Sequence, residues 1–390
     1  MKTYDLSHIQ PLMLSWRHQI HRHPETAYRE YNTSKLVASI LTDLGLEVYE
    51  GIAETGVVAV LKSTKKNTQK SIALRADMDA LDIQELNQFD HRSRLKGKMH
   101  ACGHDGHTAM LLGAASYLAQ SPDLVEGTVY FIFQPAEENE GGGRRMVDEG
   151  LFERFPADAV FGMHNMPSLA IGKFSLCPGP MMAAFSTFEC VVKGIGTHSS
   201  IPHMGINPIT VGTEIISAWQ DFRATTFSID APVNLSVTRF HSGETWNVIP
   251  ETAVIGGSTR CFSLEVGAQL KDAMSTIAKE TCLNFNTTCE FNYRFLYPPL
   301  VNAPEQTTFA ADVASSLVGE EFITRDMPPV LGSEDFAYML QAKPGAYILI
   351  GNGIGEQGGC MVHNAHYDFN DDILALGASY WISLVEHYFS

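Results

Sequence analysis

The chain has 390 residues, 45% of them hydrophobic and 18% charged, with a formal charge of -17 at pH 7. That balance suits a globular protein and excludes the Lys/Arg-rich surface that nucleic acid or an anionic membrane requires. No run approaches the ~20 apolar residues of a membrane span, and the length favours two domains over one core.

The N-terminal run MKTYDLSHIQPLMLSWRHQIHRHPE lacks the apolar core and cleavage site of a signal peptide. Residues 12–46 read as helical and lead into GLEVYEG. Residues 55–62, 71–77 and 128–134 are short apolar runs, the pattern of buried strands. Lys65 and Lys66 form an isolated basic pair near an expected turn. Residues 108–120 read as an amphipathic helix, with Gly103 and Gly106 marking a tight turn before it. Strands alternating with helices predict an α/β catalytic domain around a mixed sheet with helices on both faces. From residue 184 the pattern changes. Strand (186–193), helix (207–226), strand (233–240), strand (252–262), helix (264–282) and strand (287–295) follow in turn. This βαββαβ order predicts a ferredoxin-like insertion. Pro298-Pro299 is the expected exit, giving a discontinuous domain (1–184 and 298–390) around an inserted one (185–297).

Several segments carry chemistry. MHACGHDGH gathers His100, Cys102, His104, Asp105 and His107, a density of thiol, imidazole and carboxylate that suits a transition metal. A histidine-rich solvated loop is the plain alternative. LRADMDAL places Asp77 and Asp79 on one side of a strand end, where they could orient a ligand histidine or simply be solvated. FQPAEENEGGG runs an apolar strand into Glu137 and Glu138; one could bind metal while the other serves as general base. His164 ends an apolar run in FGMHN, and His363 follows CysMetVal near Asp368 and Asp371. Cys102, His104, Glu138, His164 and His363 each fall at or near an expected strand end, and together could form a one- or two-metal hydrolytic site. The seven cysteines are scattered, and only Cys102 lies among other ligand types. Reduced thiols and a cytoplasmic location are expected.

The blocks WRHQIHRHPE, LRADMDAL, MHACGHDGHTAM, QPAEENEGGG, GMHN, PHMGINPI, WNVIP, GSEDFAYM and VHNAHYDFND run in that order over nearly the whole chain. In this the chain resembles the metal-dependent amidohydrolases grouped with aminoacylase and the glutamate-releasing carboxypeptidases. It is most similar to the branch of hippurate hydrolase, indoleacetyl-amino-acid hydrolase and N-acetyldiaminopimelate deacetylase. The resemblance implies metal ligation by Cys102, His104, Glu138, His164 and His363. It implies Glu137 as general base and Asp79 as the acid behind the site. The insertion becomes a lid and homodimerisation domain, with His198 (His203 as second choice) reaching an active site and Asn247 and Arg260 gripping a substrate carboxylate. Asp82, Thr197, Ser199 and Ala365 depart from the branch without removing a ligand. One or two divalent ions per subunit (Zn, Mn, Ni or Co) and hydrolysis of small N-acyl amino acids are the implied cofactor and activity. A metallo-dipeptidase or carboxypeptidase, and a non-catalytic metal-binding protein on the same scaffold, are the alternatives.

Overall fold

The computed structural model describes residues 4–63, 68–228 and 232–390; the Lys65–Lys66 pair lies outside them. The chain divides into two compact units. Unit 1 takes the residues up to Met181 together with Val301–Pro328 and Glu334–Ser390, and unit 2 takes Met182–Leu300 and Pro329–Ser333. No helix among the described residues is long and apolar enough to cross a membrane.

Unit 1 is built on an eight-stranded mixed sheet. Its order is Glu47–Ile52, Gly56–Lys62, Thr128–Gln134, Ser71–Asp77, Ala159–Pro167, Gly345–Gly353, Phe174–Ser175, Ile323–Thr324. The middle strands Thr128–Gln134, Ser71–Asp77, Ala159–Pro167 and Gly345–Gly353 run parallel, so their C-terminal ends share one edge. Every residue of Ser71–Asp77 is buried, as a strand covered on both faces requires. That burial explains its unbroken apolar run.

The helix after the histidine-rich tract corrects two expectations. It spans His104–Gln120, four residues earlier than its periodicity suggests, and it is buried nearly all round rather than amphipathic. It packs against Gln10–Arg22, Leu374–Phe389 and the strand Ser71–Asp77, so no face is left for water. Gly103 adopts φ 94° at the cap, as a turn there demands. Gly106 is instead helical, and its missing side chain admits the ring of Phe369.

Unit 2 is an antiparallel four-stranded sheet in the order Asn234–His241, Thr252–Cys261, Ala184–Lys193, Cys289–Tyr297. Helices Pro208–Thr226 and Leu264–Asn284 connect the strands in βαββαβ sequence. Along Ala184–Lys193 buried and half-buried residues alternate, the period of a sheet with one covered face. Phe188, Ile215, Trp219, Ile255 and Met274 fill the core between sheet and helices. The helices start where Asn207 and Ser263 accept hydrogen bonds from the N–H groups of Ile209 and Val266.

Candidate metal centre

The parallel topology gathers the site at one sheet edge, the usual place for ligands in such folds. Asp79 follows the strand Ser71–Asp77, Glu137 and Glu138 follow Thr128–Gln134, and His164 lies within Ala159–Pro167. Cys102 sits just before the helix that His104 begins. His363 corrects the strand-end expectation. It stands on a turn well beyond Gly345–Gly353, with a left-handed φ of 64°. Its backbone N–H donates to Ala101 O at 2.7 Å, which brings it back beside the Cys102 loop.

These five side chains meet in unit 1. Cys102 Sγ lies 3.3 Å from His164 Nε2. Glu138 Oε1 lies 3.2 Å from His363 Nε2 and 3.8 Å from His104 Nε2. Cys102, His104 and His164 bring their ligand atoms within 4.8 Å of one another, as do Cys102, Glu138 and His363. His104 Nε2 is buried with no hydrogen bond. Its other ring nitrogen, Nδ1, lies 3.2 Å from Asp79 Oδ1, and the second Asp79 oxygen accepts the Glu138 N–H at 3.0 Å. Asp79 thereby orients one imidazole and one carboxylate at once. A buried imidazole nitrogen left open among a thiol, two further imidazoles and a carboxylate is the donor set of a transition-metal site.

Charge balance points the same way. Burial holds the Cys102 thiol well above its ordinary value, and the nearby Glu138 and Glu137 carboxylates add to this, so a thiolate here calls for a cation. Burial also raises the Glu137 carboxyl well above the usual range, reinforced by Glu334 and Glu138. Burial works against charge on His104, yet Asp77 and Asp79 outweigh it and raise the ring to about 10.

Several partners of His107 and Asp77 escaped the sequence reading. His107 bridges Asp77 Oδ1 and Asn165 Oδ1, each at 2.7 Å, and Asn165 Nδ2 donates to the Tyr367 hydroxyl at 2.6 Å. This chain ties together the elements that carry Asp79, His104, His164 and His363. Arg75 donates to Asp77, Glu334 and Gln134 behind Glu137. Glu137, Glu334 and Asp335 group their carboxylate oxygens within 4.8 Å. Glu334 and Asp335 were visible in the GSEDFAYM block, but nothing local in that block assigns them a partner. Asp105 pairs instead with Arg17 and His21, outside this cluster.

The remaining expected residues lie in unit 2. His198, in the short pair of Thr197–His198 with Val248–Ile249, is exposed. The Ser200 N–H donates to its Nδ1 at 3.1 Å, so the neutral ring carries its proton on Nε2. Asn247 O accepts the Ser199 N–H at 3.0 Å, which keeps Asn247 beside His198. His203 is exposed on the turn Pro202–Met204. Arg260 Nη1 donates to Ser333 Oγ at 2.6 Å, and its guanidinium lies 4.2 Å from the Phe185 ring centre. No carboxylate pairs with Arg260 among the described residues, and burial lowers its pKa.

A buried glutamate beside a cluster of soft and hard donors, at the carboxyl edge of a parallel sheet, fits the plan of a metallohydrolase. A sequence profile described as peptidase family M20/M25/M40 matches residues 73–387, and the chain belongs to that family. Thermostable carboxypeptidase 1 of Saccharolobus solfataricus is 39% identical over 96% of this chain and 94% of its own. Hippurate hydrolase of Campylobacter jejuni is 39% identical over 95% of each chain. A solved Bacillus subtilis protein, titled a dinuclear metal-binding peptidase of family M20, superimposes with a TM-score of 0.85 at 31% identity, covering 99% of each chain.

Proposed function

We propose that this enzyme hydrolyses the amide bond of N-acyl amino acids, with a divalent metal held by Cys102, His104, Glu138, His164 and His363. The reading rests above all on the buried Glu137 carboxyl next to the open His104 Nε2 and Glu138. A bare metal cage has no use for a base beside its ligands. When bound, a divalent ion supplies Lewis-acid polarisation and makes water more acidic. Glu137 takes the proton of the attacking water and passes it to the leaving amine, the base-then-acid sequence that its raised pKa suits. His198 offers Nε2–H as a donor to the oxyanion, and Ser200 fixes that tautomer. Arg260 and Asn247, with His203 as a third substrate-binding residue, hold the substrate's free carboxylate; a guanidinium without a carboxylate partner among the described residues suits this task.

Unit 2 would serve as lid and homodimerisation domain. Its exposed Ile195, Ile201, Met204, Trp246 and Val248 supply apolar surface for that role. The seven thiols are consistent with a cytoplasmic location. Cys102 favours zinc or nickel over harder ions, with manganese and cobalt as the other candidates.

The name of the carboxypeptidase relative favours peptide substrates as a second reading. Amine release from N-benzoyl, N-acetyl and N-indoleacetyl amino acids, run beside dipeptides, separates the two. The proposal expects metal-dependent release from the acyl panel. Release from dipeptides alone supports the second reading. Replacing Arg260 with Ala should raise KM for free-carboxylate substrates by about 10-fold or more, the loss of a charge-assisted hydrogen bond. Unchanged KM and kcat would remove Arg260 from the site.

A further inference from the structure

The turn that delivers Glu137 and Glu138 starts at Ala136, a fully buried residue with φ 52°. A side chain other than glycine's is strained there and stays only if its surroundings hold it. Three hydrogen bonds do so. The Ala136 N–H donates to Glu30 Oε1 at 2.9 Å. Ala136 O accepts the Gly142 N–H at 2.9 Å. Two residues on, the Glu138 N–H donates to Asp79 at 3.0 Å. Glu30 is itself fully buried, at the start of the helix Tyr31–Asp43. Its second oxygen accepts the Thr55 hydroxyl at 2.7 Å. A buried carboxylate is costly, and this one spends its two oxygens on one strained N–H and the group that steadies it.

We propose that Glu30 is a positioning residue: its carboxylate locks Ala136 in the left-handed conformation that sends Glu137 and Glu138 to different tasks. Without that acceptor the Ala136 N–H is buried unpaired, the turn relaxes toward negative φ, and both carboxylates move off their targets. The inference rests on the reading of Glu137 as base and Glu138 as ligand.

The test compares full-length Glu30→Ala, Glu30→Gln, Thr55→Val and the double variant Glu30→Ala/Ala136→Gly. The readouts are kcat and KM on an N-acyl amino acid, Mn2+ affinity by chelator competition, and thermal melting. Glu30→Ala should lose about 10–100-fold in both kcat and Mn2+ affinity, the usual cost of removing a supporting group, with little change in KM. Glu30→Gln should recover most of the loss, because the amide oxygen still accepts the Ala136 N–H. The double variant should also recover it, since glycine takes a positive φ without strain. Folded Glu30→Ala with wild-type kcat and Mn2+ affinity overturns the proposal. So does a loss that neither Gln at 30 nor Gly at 136 repairs, which would mean general packing. If Glu30→Ala does not fold, Thr55→Val carries the test: a partial loss of both quantities supports the proposal, and wild-type values overturn it. Wild-type protein that binds Mn2+ but releases no amine contradicts the functional reading alone, and the affinity comparison still decides on Glu30.

Discussion

Asp79 is the residue on which the geometry of the centre turns. One of its oxygens meets His104 Nδ1 at 3.2 Å and the other accepts the Glu138 N–H at 3.0 Å. Asp79→Asn leaves the volume unchanged but presents an amide where two donors now converge. Divalent-metal affinity should fall by about 10–100-fold, as for other lost supports of metal ligands, while the melting temperature of the metal-free protein stays close to wild type. Chelator competition measures the first and a thermal scan the second. Among residues, the crowded tract MHACGHDGH marked Cys102 and His104, whose side chains do gather with His164, Glu138 and His363. The sequence was silent on Glu30, because nothing in HRHPETAYRE signals that this glutamate's partner is a backbone N–H more than a hundred residues away.

Among the elements, the helix His104–Gln120 matters most to the site, since its first turn carries His104 and its cap follows Cys102. Gly106 lies in that turn against the Phe369 ring, where a Cβ would collide with ring carbons rather than a flexible side-chain tip. Gly106→Ala should destabilise unit 1 by about 1–3 kcal/mol, the typical cost of overpacking. It should also weaken metal binding, by shifting the turn that bears His104. Urea unfolding of metal-free protein gives the first effect and chelator competition the second. The strands Ser71–Asp77 and Thr128–Gln134 were legible to the residue because burial on both faces imposes an unbroken apolar run. The start of the buried helix was misplaced because polar residues satisfied inside a site look, in sequence, like a solvated loop. Periodicity carried the strand Ala184–Lys193 of unit 2, whose one covered face gives clean alternation. It could not show that Pro329–Ser333 groups with unit 2, a short segment without periodicity.

Across unit 1 as a whole, a buried ion cluster clasps the N-terminal helix. Arg17 pairs with Asp105 at 3.1 Å and Asp371 at 3.1 Å, and also with Asp368. His21 lies 2.8 Å from Asp105 and 3.3 Å from Glu85. Burial alone would lower the His21 pKa, but Asp105 and Glu85 outweigh it and raise the ring to about 9. A histidine raised on folding contributes stability that is complete below its unfolded value near 6.5 and is lost as pH rises through about 9. The shift corresponds to about 3 kcal/mol at most. Urea midpoints should therefore fall between about pH 6.5 and pH 9, and His21→Gln should flatten that slope. An equally steep fall in His21→Gln would assign the pH dependence to other groups.

The role proposed for Glu137 is that of base in a metal-dependent amide hydrolase. It is tested most directly by chelator-stripped wild type and Glu137→Gln, each titrated with zinc or manganese while amine release from an N-acyl amino acid is followed. Wild type should be inactive without metal and regain turnover as metal binds. Glu137→Gln should bind the same metal with similar affinity and lose at least about 100-fold in kcat, as expected for a lost general base. Turnover by wild type in excess chelator, or near-wild-type kcat in metal-loaded Glu137→Gln, would contradict it.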